Sequence, residues 1–271
     1  MSFDDFERSN YEGIPTTLYE FALGNTARWR YATGTLNVTL NGAVFTAMPV
    51  SDTGIVQSGD VQNDDFTVTL PSSAPFTGLF IGTPPSQPIF LTVRNINRGD
   101  PEAPVVWAGT VKSGRRKSLT EFEIVCRTLT SSLNRLGVRL SWGRGCPHAL
   151  YDRNCRVDKS LYGTSVQIAS LSGSSLQATV GSLGNNYLTG GFLEFDLMPG
   201  VRDTRAIESH IGTQIDLLGS SDGLRVGAWI TVYPGCNRIP ATCENKFNNL
   251  ANYGGFPHLP TKNPFDGDPI F

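Results

Sequence analysis

Two pairs of cysteines, about eighty residues apart, constrain the fold of this chain more than any other feature of its sequence. Cys146 and Cys155 form the first pair, and Cys236 and Cys243 form the second. Gly, Pro and Asn flank both pairs, and these residues bend the backbone so that neighbouring thiols can converge. We therefore predict that the four thiols are the ligands of one metal centre.

The spacing within each pair leaves the nature of that centre open. Eight residues separate the first two cysteines and six separate the second two, which is wider than the two-residue spacing of most structural zinc sites. Soft thiolates bind both zinc and iron–sulfur clusters, and a cluster is larger than a single ion and tolerates wider spacing. An iron–sulfur cluster, a zinc ion, and disulfide-bonded or unligated cysteines are thus all compatible with the spacing.

Several residues near the cysteines suit a metal site. Pro147 and Pro234 would make the two loops rigid, and Gly145 and Gly235 would let the backbone approach the metal. His148 is a further candidate ligand, although four thiols already complete a tetrahedral set. An apolar cover could come from three aromatic residues: Trp142, Tyr151 and Phe247.

The fifth cysteine has a different setting. Cys126 lies in an alternating apolar pattern, so we expect a small buried hydrophobic residue in a strand. The chain contains no Gly-x-Ser-x-Gly, phosphate-binding loop or His-Glu-x-x-His motif. We therefore expect no enzymatic activity.

Composition favours a mainly β protein. The chain has 29 Gly and 17 Pro in 271 residues, which indicates short strands joined by many turns. A formal net charge of −2 provides no basic field for nucleic acid, so we expect no such partner. Alternating patterns predict strands at 17–23, 35–40, 43–47, 65–70, 89–94, 105–112, 119–126, 165–169, 175–180, 192–197, 206–210, 214–218 and 228–233.

Turn and helix signals complete this prediction. Asn41-Gly42 predicts a two-residue hairpin turn, and residues 113–117 predict the basic tip of a second hairpin. Glu244 to Leu250 is the one helix that we predict, with Thr242 or Ala241 as its cap.

We predict two β-rich domains, a sheet-like or barrel-like N-terminal one and a C-terminal one with the cysteine centre and the short helix. The first fourteen or so residues show no period, and the last residues are rich in proline. The boundaries follow: an arm at 1–15, the first domain at 16–140, the second at 141–262 and an extended tail at 263–271.

The first residues lack the basic and apolar segments of a signal peptide, and no apolar run reaches the roughly 20 residues of a membrane-spanning helix. We therefore expect cytosolic synthesis and no membrane-spanning segment. In the cytosol clustered cysteines more often hold metal than form disulfides.

Four parts of the sequence form one motif. They are Gly-Cys-Pro-His-Ala-Leu-Tyr-Asp-x-x-Cys at 145–155, Pro-Gly-Cys at 234–236, Cys243, and Lys-Phe-Asn-Asn-x-x-Asn-Tyr-Gly-Gly-Phe-Pro at 246–257. Together these residues resemble the C-terminal half of the tail-tip (baseplate) hub proteins of long flexible-tailed bacteriophages and gene transfer agents, a family typified by protein L of the phage lambda tail tip. The resemblance covers roughly residues 140 to 262. The N-terminal half is similar to these hubs only in its β-rich character.

The resemblance implies a structural role in the virion. Such hubs form a ring, commonly a homotrimer, between the distal tail ring at the end of the tail tube and the central fibre or spike. The implied partners are further copies of the chain, the distal tail protein, central fibre and other tail-tip proteins, and the tape-measure protein. The implied location is the virion tail tip, with the host cytoplasm during assembly.

The resemblance also implies a [4Fe-4S] cluster, with zinc as the alternative. Its ligands would be Cys146, Cys155, Cys236 and Cys243, whereas Cys126 lies outside the motif. Two other functions compete with this interpretation. One is a metal-dependent, tail-associated cell-wall hydrolase, and the other is a binding module stapled by zinc or by disulfides within each cysteine pair.

Overall fold

The computed structural model describes residues 3–8, 15–25, 27–56, 65–97, 102–134, 137, 142–181 and 183–260. Strands dominate these ranges and the helices are short, which confirms the mainly β fold class. The chain divides into two compact units, a sheet unit of residues 1–135 and 196–203 and a barrel unit of residues 136–195 and 204–271. Most of the predicted arm, the boundary near 140 and the tail at 263–271 lie outside the described residues, and the four-part domain division stays a prediction.

The sheet unit contains a nine-stranded sheet of order β3-β4-β2-β1-β7-β8-β9-β6-β5 within the described ranges. Neighbouring strands run antiparallel except for β2 and β4, which are parallel. The strands are β1 (Pro15–Leu23), β2 (Ala27–Ala32), β3 (Val38–Leu40), β4 (Ala43–Ala47), β5 (Ser51–Asp52), β6 (Asp65–Pro71), β7 (Ile89–Asn97), β8 (Val105–Arg116) and β9 (Glu121–Thr128).

Alternation along the strands builds the core of the sheet unit. In β6, Phe66, Val68 and Leu70 are buried, and the residues between them are half-buried. This period of two turns every second side chain to the same face. Cys126 in β9 lies fully buried in this core, as its sequence context predicted.

The first predicted hairpin is confirmed. Leu40 pairs with Ala43, so Asn41 and Gly42 form a two-residue turn. Their φ angles are 49° and 78°. Positive φ at both central residues is the type I′ requirement that makes Asn-Gly the favoured sequence.

The predicted tip of the second hairpin is wrong. β8 runs to Arg116, so residues 113–116 are strand and the turn covers 117–120. Arg115 and Lys117 form ion pairs of 2.7 and 3.3 Å with Glu123 on β9. Arg115 therefore lies within β8, and Lys117 begins the turn, while both reach the same glutamate on the neighbouring strand.

Besides the two-residue strand β5, one strand and one α-helix of the sheet unit escaped prediction. β2 carries Arg28 and Arg30 among its aromatic residues, and Arg30 forms a 2.5 Å ion pair with Glu20 on β1. The second is the short helix α1 (Phe3–Arg8). The expectation of one helix in the chain was therefore wrong.

The barrel unit is built on a closed six-stranded barrel of order β10-β11-β14-β13-β12-β15. All six strands correspond to predicted ones, and Ile168, Leu176, Leu193, Ile215 and Val232 are among their fully buried residues. The strands are β10 (Thr164–Ser172), β11 (Ser175–Ala178), β12 (Phe192–Met198), β13 (Val201–Ile211), β14 (Gln214–Leu217) and β15 (Trp229–Tyr233).

A short helix, α2 (Pro240–Phe247), follows the barrel. The predicted span from Glu244 to Leu250 and its cap were wrong, because Pro240 occupies the first turn, where its fixed φ suits helix initiation. Asn248 ends the helix with a left-handed φ of 46°. Among the described residues, no helix has the length and apolarity needed to cross a membrane.

Candidate metal centre

Four cysteines of the barrel unit line one cavity of about 240 Å³. Cys146 and Cys155 lie in the irregular segment before β10, Cys236 follows β15, and Cys243 lies in α2. All of these thiols are free, as is Cys126, so the structure does not support the disulfide alternative. The two pairs, distant in sequence, thus face the same space.

Hydrogen bonds hold the two cysteine segments together. The backbone N–H of Cys146 donates to the carbonyl of Arg238 at 3.0 Å. The Tyr253 hydroxyl lies 2.7 Å from the Arg144 carbonyl and 3.1 Å from that of Arg238. The Tyr151 hydroxyl donates to the carbonyl of Pro234 at 3.1 Å, in the loop that carries Cys236. The convergence of the thiols therefore rests on direct bonds between the loops.

Asp152 shapes the loop of the first pair. Its carboxylate accepts hydrogen bonds from the backbone N–H groups of Cys155 at 2.6 Å, Asn154 at 2.9 Å and Ala149 at 3.3 Å. These bonds, chiefly the one from Cys155, hold the pKa of the Asp152 carboxyl below its usual value. A carboxylate that satisfies three backbone donors fixes the turn that leads into Cys155.

The structure gives Gly235 a role other than close approach to a metal. A Cβ atom at Gly235 would lie 2.0 Å from the carbonyl oxygen of Thr189 and 2.3 Å from the carbonyl carbon of Gly190. The glycine therefore lets the cysteine loop pack directly on the backbone before β12. At Gly145 a Cβ would meet its nearest atom, the oxygen of Arg238, at 3.6 Å, so a side chain would fit there.

Donor groups point at the cysteine sulfurs. Such N–H···S contacts neutralise part of the charge of a thiolate ligand and orient it. The contacts are Arg238 N to Cys236 Sγ at 3.3 Å, Gly254 N to Cys146 Sγ at 3.5 Å, and Asn249 Nδ2 to Cys155 Sγ at 3.8 Å.

Burial and mutual proximity govern the electrostatics of the thiols. Burial raises the pKa of the Cys243 thiol, and the charges of Cys236, Cys155 and Cys146 raise it further. Cys155 and Cys243 are buried, whereas Cys146 and Cys236 are half-buried. Four thiolates in one cavity would repel one another, so the site could hold them deprotonated only with compensating positive charge.

The aromatic cover differs from the prediction. Tyr151 makes ring contacts with Tyr162, Phe247, Phe192 and Tyr233, and Phe247 lines the cavity. Burial is the main cause of the raised pKa of Tyr151. Phe247 thus lies where it was expected, whereas Tyr151 packs against Phe247 and is not among the residues that line the cavity.

Trp142 does not cover the cavity. Its side chain is 79% exposed and stacks on Phe256 with the ring centroids 4.6 Å apart. The prediction of an apolar cover from this residue was therefore wrong. Trp142 is close to the first cysteine loop in the sequence, but its ring does not face the cavity.

His148 also lines the cavity. A Cβ at Gly254 would lie 2.5 Å from the imidazole, so this glycine makes room for the ring. Nδ1 of His148 is buried and has no hydrogen-bond partner among the described residues. The ring is therefore close enough to the thiols to influence a group in the cavity.

Two polar residues of the site, Lys246 and Asn249, stand in the motif at 246–257, but the sequence assigned no role to either. Lys246 donates to the carbonyl oxygens of Gly235 at 2.7 Å and Tyr187 at 2.5 Å, and its ammonium lies 4.4 Å from the Tyr187 ring centroid. Burial lowers the pKa of Lys246. Asn249 is 8% exposed and contacts both Cys155 and Cys243. Single polar residues in a helix and the loop after it gave no indication of such contacts.

Within the described part of the chain, no group of three or more His, Cys, Asp or Glu side chains is arranged to hold a metal ion. The four thiols share a cavity, and their assignment as ligands of a metal centre stays a prediction.

Comparisons with known proteins add a second line of observation. Residues 186–263, which include the second cysteine pair, match a family described as "Phage conserved hypothetical protein BR0599". The chain is also similar to one in a solved structure described as "Virion of native gene transfer agent (GTA) particle". That likeness has a TM-score of 0.83 at 20% identity and covers 99% of this chain and 96% of the other, which shows a common fold. Curated proteins show no significant match.

Proposed function

We propose that this chain is a structural protein of the tail of a bacteriophage or gene transfer agent particle. Two findings support this function. The family match is to a phage protein, and the fold matches a chain from a virion over almost its full length. The sequence motif around the four cysteines narrows the proposal to the tail-tip hub, which lies as a ring, commonly a trimer, between the distal tail ring and the central fibre or spike.

The observation that carries the cofactor proposal is the shared cavity of the four thiols. Its volume of about 240 Å³ is several times the roughly 30 Å³ of one water molecule. A tetrahedral zinc ion holds its sulfurs only about 3.8 Å apart, whereas a [4Fe-4S] cluster needs more room. The donor set, the space and the N–H groups directed at sulfur fit the cluster.

In this proposal Cys146, Cys155, Cys236 and Cys243 hold the cluster, which supplies a covalent connection between the two loops. The chain's own residues position those loops. Asp152 shapes the first loop, Gly235 packs the second on the backbone of Thr189, and Tyr253 joins the two. Metal–thiolate bonds contribute directly to the folding free energy, which suits a structural cofactor.

The proposed partners are further copies of the chain, the distal tail protein, central fibre and tail-tip proteins, and the tape-measure protein. The nine-stranded sheet is open, with β3 and β5 as its edges within the described residues. Open edges offer unpaired backbone groups with which neighbouring chains of a ring can pair.

Purification without oxygen tests the cofactor. We expect a broad visible absorption band and about four iron and four sulfide per chain, as a [4Fe-4S] cluster contains. Cys126→Ala is the matched control and should retain the iron, whereas Cys243→Ala should lose it. A colourless protein with one zinc would refute the cluster.

Particle assembly tests the hub. We expect the chain to form rings at high concentration and antibodies against it to label the tail tip of intact particles by electron microscopy. A chain that stays monomeric and is absent from purified particles would refute the proposed location.

A further inference from the structure

Asn249 is a buried polar residue that touches one cysteine of each pair. We infer that Asn249 is a positioning residue for the four-thiolate site. Asn249 fixes the position of Cys155 relative to Cys243 and directs an amide N–H at the sulfur of Cys155. This inference rests on the cofactor in the proposed function.

The side-chain contact involves Cys155. Asn249 Nδ2 donates to the Cys155 carbonyl oxygen at 2.5 Å and lies 3.8 Å from the Cys155 sulfur. Asn249 is only 8% exposed, so water does not compete freely for this amide. A neutral donor at a buried sulfur offsets part of the negative charge that a thiolate ligand brings.

Chemistry determines which end of the Asn249 amide faces Cys155. A backbone carbonyl oxygen only accepts hydrogen bonds, so the amide must present its NH₂ group to the Cys155 carbonyl. The Asn249 oxygen then accepts a bond of 2.6 Å from Nδ2 of Asn252. Asn252 therefore keeps the NH₂ group directed at Cys155.

The backbone contact involves Cys243. The Asn249 N–H donates to the Cys243 carbonyl oxygen at 3.0 Å, a bond that is independent of the protonation state of the Cys243 thiol. The left-handed conformation of Asn248 turns the chain back towards the helix and makes this bond possible. Asn249 therefore connects α2 to the loop of the first cysteine pair.

A donor at sulfur has a consequence that packing alone lacks. The reduced cluster carries one more negative charge than the oxidised one, so an N–H directed at sulfur favours the reduced form. Removal of the donor should shift the reduction potential to a more negative value. A side chain that only fills space would leave the potential unchanged.

Three variants test this inference on the full-length protein. Asn249→Asp replaces the NH₂ group by an oxygen of similar size, and Asn252→Ala leaves the amide in place without its partner. Asn248→Asp is the matched control, because it introduces the same charge one residue away at an exposed left-handed position. Two properties are measured. The reduction potential is determined from the change in the visible spectrum, and iron retention is measured in the presence of a chelator.

We expect Asn249→Asp to lower the potential and to weaken iron retention by about tenfold or more. Asn252→Ala should produce a smaller shift in the same direction, and Asn248→Asp should behave like the wild type. The inference is overturned if Asn249→Asp keeps the wild-type potential and retention, or if Asn248→Asp shifts them equally.

The wild-type protein separates failure of this inference from failure of the proposed cofactor. A wild type without iron refutes the cofactor and the inference together. A wild type with the cluster, combined with variants that do not shift the potential, refutes the inference alone. If Asn249→Asp does not fold, Asn252→Ala decides, because its partner Asn249 and both cysteines remain in place.

Discussion

The core around Cys126 and the cavity of the other four cysteines use the same residue type in opposite ways. Cys126 lies in a regular strand, fully buried among apolar side chains, and burial raises the pKa of its thiol. The other four occupy loops and one short helix, where backbone N–H groups, an amide and one another are their neighbours.

This difference shows that surroundings decide the role of a cysteine. In the sheet unit the apolar core would keep its shape with any apolar residue of similar size at position 126. In the barrel unit the cysteine loops have little regular structure of their own, and three N–H groups contact the cysteine sulfurs. The variants below test that contrast, from the largest expected effect to the smallest.

The double change Cys146→Ser with Cys236→Ser removes one proposed ligand from each pair. We expect the variant to lose all bound metal. The folded state would then lose the free energy of metal binding, which is on the order of 10 kcal/mol. Hydrogen exchange should show lost protection in the strands of the barrel unit and unchanged protection in β1 to β9. Equal protection in wild type and variant would contradict a structural role for the metal.

Gly235→Ala should be the most damaging single glycine change near the site. Its Cβ would lie 2.0 Å from the Thr189 carbonyl oxygen, so we expect a loss of up to about 3 kcal/mol in unfolding free energy. Gly145→Ala is the control and should stay within about 0.5 kcal/mol of the wild type. Denaturant titration measures both. Similar losses in the two variants would show that the close packing at Gly235 is unimportant.

Cys126→Ser places a hydroxyl in the apolar core of the sheet unit. We expect a cost of about 1–3 kcal/mol from the buried polar group, with metal content unchanged. Denaturant midpoints and iron analysis of the same samples provide the test. Loss of iron in this variant would remove the distinction between the two cysteine environments.

Trp142→Ala should have the smallest effect. The exposed ring loses its stacking on Phe256, which is worth about 0.5–1.5 kcal/mol, and we expect metal content to stay at the wild-type level. Phe247→Ala is the comparison, since Phe247 lines the cavity and should lower metal content. If Trp142→Ala lost metal, Trp142 would be part of the apolar cover of the site after all.

Much of the strand pattern was predictable because alternation is a local signal. All six barrel strands were found in this way, and the Asn41-Gly42 turn was found from its dipeptide, which is also a local signal. β2 was missed because two of its alternating positions are arginines, and one of them is satisfied by Glu20 across the sheet. The strand order, including the parallel contact of β2 with β4, depends on pairings that no local pattern records.

The site was predictable in its residue types and less so in its geometry. The two cysteine pairs led to the prediction of one common centre; all four cysteines line one cavity, and the metal itself stays a prediction. The helix start was wrong because Pro240 belongs to the first turn, a signal that could have been used. Asn249 belongs to the motif at 246–257, but its contacts with Cys155 and Cys243 could not be predicted, because the burial of one asparagine among many depends on the tertiary structure.

All six barrel strands lie between Cys155 and Cys236 in the sequence. During translation the second cysteine pair therefore leaves the ribosome only after every barrel strand has been made. The nascent chain contains Cys146 and Cys155 first, and Cys236 and Cys243 are added later. The proposed metal site can therefore be complete only late in synthesis. Metal occupancy would then report that the whole barrel segment has been synthesised.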